Sequence, residues 1–286
     1  MNTGLSTTGL STTGLSTTGL STTVSFVTAN YVARELGYSM TEGWMQGDAA
    51  TQNAFKSLAT FGQKFEEMLG DIKALGFNAL DLWTAHLHSS WATKEHVAIA
   101  KDLLAKHDLK VTSFAGGVGS VENLKATCKL ANELGVSILA GGVSALANER
   151  SEVIAILKEH HVKLGLENHP EKTPAEVLAQ IGDGGDGHIG TACDTGWWGT
   201  QGYDAAKAIR ELEGHLFAVH LKDVKAVGGH DTCRYGEGVV NIEACVQALK
   251  DIGYTGPLGV EHEPEHHDPT QDVKESLRLL QSWLKA

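Results

Sequence analysis

From Val24 onward the chain alternates short apolar, β-branched runs with longer segments whose apolar residues recur at three- and four-residue spacing, and it completes that cycle eight times. The short runs read as strands and the 3.6-period segments as helices. Strands separated by helices must lie parallel, because a parallel neighbour is reached only through a long crossover. Eight such units fit a closed (β/α)8 barrel of about 250 residues. No P-loop favours an open doubly wound sheet instead. The expected fold is therefore α/β, a single-domain TIM barrel over residues 24–286.

Strands are expected in VSFVTA, FNALDLWTAHL, LKVTSFAGG, VSILAGGV, VKLGLEN, HIGTACDT, LFAVHLKD and PLGVEHE. Helices are expected over Phe55–Leu75, Lys94–His107, Val121–Leu134, Leu146–His160, Pro174–Ile181, Tyr203–Leu212, Ile242–Ile252 and Asp272–Leu284. In the first of these, Phe65, Met68, Leu69, Ile72 and Leu75 form the buried stripe and Gly76 ends it. The stretch after strand one, through Asp48, reads as polar, glycine-containing loop.

Residues Gly4–Thr23 are four perfect copies of GLSTT, a period that matches neither a helix nor a half-buried strand. Residues 1–23 read as a low-complexity, flexible or loosely docked extension; the alternative is packing of Leu5, Leu10, Leu15 and Leu20 on a neighbouring subunit. The stretch lacks the basic start and apolar core of a secretory signal. A net charge of -12 argues against a nucleic-acid partner, and no apolar run is long enough for a membrane span. Cys128, Cys193, Cys233 and Cys245 show no CxxC spacing and read as reduced thiols of a cytoplasmic protein, with Cys193 packed next to Asp194.

Glu167, Asp194, His220 and Glu261 end, or nearly end, four successive strands in GLENHP, ACDTGWWG, FAVHLKD and GVEHEPEH. Their separations of 27, 26 and 41 residues correspond to one repeat, one repeat, and one repeat with a long loop. In a closed barrel the four side chains converge on the C-terminal mouth. One Glu or His so placed is usually a surface or salt-bridged residue, but four at successive strand ends call for another explanation. Three carboxylates and an imidazole make an oxygen-rich donor set suited to Mn²⁺, with Mg²⁺, Co²⁺ or Zn²⁺ tolerated.

The order ENH, DTG, HLKD, GEG and VEHE resembles the xylose isomerase-like barrel superfamily of sugar and sugar-phosphate isomerases and epimerases, with inosose dehydratases and related keto-sugar lyases. The resemblance covers Val24–Ala286 and is most specific between Glu167 and Glu261. It implies one divalent metal held by Glu167, Asp194, His220 and Glu261, with Glu167 and Glu261 also catalytic in proton transfer. Many epimerases of the group carry a His three residues after the strand-six Asp and an Arg six residues after the strand-seven His. Here those positions are Trp197 and Ala226, which counts against a 3-epimerase of free ketoses and favours a bulkier or more apolar group stacked on Trp197 or Trp198.

Further substrate contacts are expected from His169, Lys222, Arg234, His86 and Trp83. Lys222 shares a strand face with His220, so it reads as a donor to a substrate oxygen, as the acid of a lyase, or as a salt bridge to a neighbouring strand. Arg234 stands in for the missing Arg; His86 and His88 alternate after strand two and read either as mouth-facing substrate contacts or, preferably, as exposed loop residues. His169 and His262, beside the glutamates, read as groups that orient the ligands or touch substrate.

The leading expectation is a metal-dependent isomerase or epimerase of a small carbohydrate, working as a homo-oligomer. A lyase that dehydrates an inosose or cleaves a 3-keto-glycoside is the rival, and a metal-assisted glycoside hydrolase is a variant of it. An apurinic-site endonuclease would need more histidines and a basic face. A non-catalytic sugar-binding barrel with a residual metal is disfavoured by the intact set of four ligands, and metal-free protein would revive it.

Overall fold

The computed structural model describes residues 22–286, so both readings of the GLSTT extension fall almost wholly outside the described residues. The last repeat's Thr22 and Thr23 lie at the barrel's start: Thr22 Oγ1 donates to Gly256 O, and Leu258 N donates to Thr23 O.

Eight parallel strands close into a barrel. They are β1 (Val24–Val27), β2 (Ala79–Trp83), β3 (Lys110–Ala115), β4 (Ile138–Gly141), β5 (Lys163–Glu167), β6 (Ile189–Asp194), β7 (Leu216–Leu221) and β8 (Leu258–Val260). Each pairs with its sequence neighbours, and β8 closes on β1. Alternation sorts the side chains. Ala140, Ala192 and Ala218 form a small cluster inside the barrel, while Leu164, Cys193, Val219 and Leu221 join the main core beneath the helices. Cys193 thus faces away from Asp194's side of the sheet, and its sulfur accepts from Trp198 Nε1 at 3.3 Å. All four cysteines are free and buried.

Two helices correct the sequence reading. The stretch expected as loop through Asp48 ends in a helix, Trp44–Phe55, whose buried residues are Gly47, Thr51 and Phe55. Up to its last residue, Phe55, that buried face is Gly and Thr and carries no apolar stripe. The residues after β6 form a second unexpected helix, Thr195–Gln201, whose first turn Asp194 caps by accepting from Gly196 N at 2.7 Å and Trp197 N at 3.3 Å. The fourth helix starts later than expected, at Arg150, after a 3₁₀ turn over Ser144–Ala147. Among the described residues no helix is long and apolar enough to cross a membrane.

The GEG motif has a structural explanation. Asp223, just past β7, accepts from Gly236 N, Gly238 N and Val240 N at 3.0, 3.0 and 2.9 Å, so the long β7–β8 loop winds around its carboxylate. A Cβ at Gly238 would run into Asp223 Oδ1 and Val224 O. Asp223→Ala leaves three amides without their acceptor and is expected to lower stability by about 2–4 kcal/mol. Urea unfolding checks this, with Gly238→Ala expected to destabilise the same loop by collision.

Candidate metal centre at the barrel mouth

Strand register builds the site. Asp194 pairs with His220 across β6 and β7, and His220 pairs with Gly259 across β7 and β8. A side chain at Gly259 would collide with Val27 and press on the His220 ring, so the bare backbone there gives the imidazole its space. Beyond the last ladder bonds, polar side chains clamp the strand ends. Asn168 Nδ2 donates to Asp194 O and its Oδ1 accepts from Asp194 N, at 3.0 and 2.9 Å. Thr195 Oγ1 accepts from Lys222 N at 2.8 Å. Asn30 donates to Val260 O and accepts from His262 N, at 3.1 and 2.8 Å.

The result brings one donor atom from each of Glu167, Asp194, His220 and Glu261 within 4.8 Å of the others. His220 Nδ1 lies 3.2 Å from Glu261 Oε2 and 4.0 Å from Glu167 Oε1. Asp194 Oδ2, His220 Nδ1 and Glu261 Oε2 are buried and make no well-angled hydrogen bond; their near contacts are charged ones, Lys222 Nζ at 2.8 Å from Asp194 Oδ2 and His220 Nδ1 at 3.2 Å from Glu261 Oε2. Buried polar atoms are otherwise nearly always satisfied, so three such atoms aimed at one point fit a divalent cation. His220 Nε2 is 2.9 Å from Asp81 Oδ2, and Asp81 also accepts from Ser113 Oγ at 2.7 Å. With its proton on Nε2, held by Asp81, the ring presents Nδ1 as the free donor. Asp81 was not anticipated from sequence: its partner lies 139 positions away and meets it only through barrel closure.

Lys222 is 2% exposed at the same centre. Its Nζ lies 2.8 Å from Asp194 Oδ2, 3.1 Å from Glu263 Oε2 and 3.3 Å from Glu261 Oε1. Burial alone would drive this amine neutral, but the carboxylates of Asp194, Glu261 and Glu263 outweigh it and hold the ammonium charged. Burial, reinforced by the charges of Asp194 and Glu261, pushes the Glu167 carboxyl well above the usual range. Five carboxylates (Asp81, Glu167, Asp194, Glu261, Glu263) thus face one ammonium and one imidazole, an excess of negative charge that draws a cation.

The site opens into a cavity of about 1310 Å³, whose walls include Glu167, His169, Trp197, Lys222, Trp83 and Glu261. Trp197 stacks on His230, with centroids 3.6 Å apart and planes at 12°, and meets His169 at 4.9 Å. His230 in turn is tied to Thr200 Oγ1 at 2.7 Å, and burial lowers its pKa to about 4. Trp44 leans on Trp83 and donates its indole N–H to Glu263 at 3.1 Å. Trp44, His230 and Glu263 are wall residues that the sequence reading passed over. Two expected contacts lie elsewhere. His86 is buried in a 3₁₀ turn between Phe55 and Trp83, beside Thr28, where burial lowers its pKa to about 3. Arg234 pairs with Glu237 and does not line the cavity.

A family model described as xylose isomerase-like TIM barrel matches residues 69–283. L-Ribulose-5-phosphate 3-epimerase UlaE of Escherichia coli is 40% identical over 74 residues, which is 26% of this chain and 24% of that protein. The match therefore spans about a quarter of that relative's length. A solved structure of IOLI protein with a bound zinc atom superposes with a TM-score of 0.67 at 14% identity, covering 92% of this chain and 98% of that one. The probable 3-DHS dehydratase AsbF of Bacillus anthracis superposes at 0.65 and 14% identity, covering 91% and 98%.

Asp81→Ala frees His220 to change tautomer and rotate, and divalent-metal affinity is expected to fall about 10–100-fold. Calorimetric titration of apoprotein with Mn²⁺ and Zn²⁺ measures it; unchanged affinity would mean that Asp81 does not orient the ligand.

Proposed function

The chain belongs to the xylose isomerase-like TIM barrel family, and from that premise we propose that it is a divalent-metal-dependent isomerase or epimerase of a sugar or sugar derivative. The observation that carries this reading is the convergence of Glu167, Asp194, His220 and Glu261 at the floor of a large cavity. A divalent cation in that donor set supplies Lewis-acid polarisation of a carbonyl and the neighbouring hydroxyl, and the oxygen-rich set favours Mn²⁺. Glu167 and Glu261 are the proton carriers. Glu261 comes from β8 and Glu167 from β5, so the two reach the reacting carbon from separate walls.

Lys222, held against Glu263, donates to a substrate oxygen. Trp197 and His169 form one aromatic wall and Trp83 another, on which the apolar face of a sugar ring or a substituent packs. The same ammonium supports a second reading, a lyase in which Lys222 protonates the leaving oxygen after the common proton abstraction. The fold shared with a probable dehydratase is compatible with that chemistry.

The test is incubation with ketoses, inososes and 3-keto-glycosides in D₂O with Mn²⁺, followed by NMR. Deuterium at the carbon next to the carbonyl without loss of water or aglycone is the expected result. An eliminated group indicates the lyase. Glu167→Gln is expected to cut deuterium uptake by about 10²–10⁴-fold; turnover equal to the unaltered protein would overturn the role of Glu167, and no exchange with any substrate class would overturn the reading.

A further inference from the structure

A second cluster of metal-binding groups lies on the loop that leaves β8. His262 Nε2 and His267 Nε2 approach one oxygen of Asp272, Oδ2, at 3.3 and 3.2 Å. The three donor atoms all lie within 4.8 Å of one another. We propose that His262, His267 and Asp272 form a separate Zn²⁺ site that fastens the β8 loop to the closing helix, Thr270–Lys285.

The spacing of the donors admits a shared ion. Zinc binds imidazole nitrogen and carboxylate oxygen at about 2.0–2.1 Å in a tetrahedron, which sets neighbouring donors about 3.3–3.4 Å apart. The two nitrogen–oxygen separations match those edges. Two imidazoles and one carboxylate also select zinc over the hard cations magnesium and calcium, which prefer all-oxygen shells.

The surroundings have the features of a supported ligand set. His262 is 1% exposed, and its Nδ1 lies 2.9 Å from Thr232 Oγ1, a contact that turns Nε2 toward the cluster. Its backbone N–H is fixed on Asn30 Oδ1 at 2.8 Å. Asp272 stands in the first turn of its helix, where a carboxylate is favoured. His267 is half exposed and lines the rim of the cavity, so the fourth coordination position faces water or a bound molecule. The site would also set the course of the loop carrying Glu263, the partner of Lys222 and Trp44.

Zinc content of the Zn²⁺-loaded, desalted full chain tests the site. The expected result is one fewer equivalent per chain in His267→Ala and in Asp272→Asn than in the unaltered protein, and no loss in His266→Ala, whose ring is outside the cluster. Because the readout is a difference of one equivalent, it does not depend on what the barrel mouth holds or on any activity. Co²⁺ substitution gives an independent reading: a tetrahedral visible band lost in the half-exposed variant His267→Ala. Equal zinc and an unchanged Co²⁺ spectrum in His267→Ala would overturn the proposal and leave Asp272 as an acceptor of two imidazole hydrogen bonds. The same loss in His266→Ala would also overturn it.

Discussion

Asp194 stands directly opposite His220 in the ladder, and His220 opposite Gly259; the mouth of this barrel rests on that register. Side chains alternate with period two, so a slip of one residue in any of β5 to β8 would turn its donor toward the helices. The clamps at the strand ends hold the register where ladder bonds run out. Asn168 grips both backbone groups of Asp194, Thr195 takes the amide of Lys222, and Asn30 ties β1 to β8. Asn168 of the ENH motif and Thr195 of DTG thus act as fasteners around the donors.

Register also concentrates charge. Taking carboxylates out of water is costly unless they are paired, and breaking a buried pair exposes the full cost. Lys222 and His220 offset part of it, Lys222 against Asp194 Oδ2 and His220 against Glu261 Oε2, and the carboxylates still outnumber them. Asp194 illustrates the division: Oδ1 caps a helix while Oδ2 faces the centre and the ammonium. Lys222 lies against two of the donors, so a cation and the ammonium draw on the same oxygens, and Glu263 gives the ammonium a place outside that set.

The barrel and its four donors were legible because both are periodic: eight cycles, and an acid or His at the end of four successive strands. What stayed hidden depends on contacts that period does not encode. Asp81 reads as an ordinary strand acid until closure brings β2 beside His220. The helix over Trp44–Phe55 buries Gly47 and Thr51, so its inner face has no apolar stripe, and with it Trp44 went unseen as a wall residue. His86 follows the alternation of β2 on paper, but a 3₁₀ turn begins at Thr84 and carries the ring into the core. Arg234 found a nearer partner in Glu237. The glycines of GEG are needed for wrapping Asp223.

Crystals grown with Mn²⁺ and measured for anomalous scattering test the mouth most directly. The account predicts a peak bounded by Glu167, Asp194, Glu261 and Nδ1 of His220, with Nε2 still on Asp81. No peak among those donors, or a metal held through His220 Nε2 with Asp81 released, would contradict it.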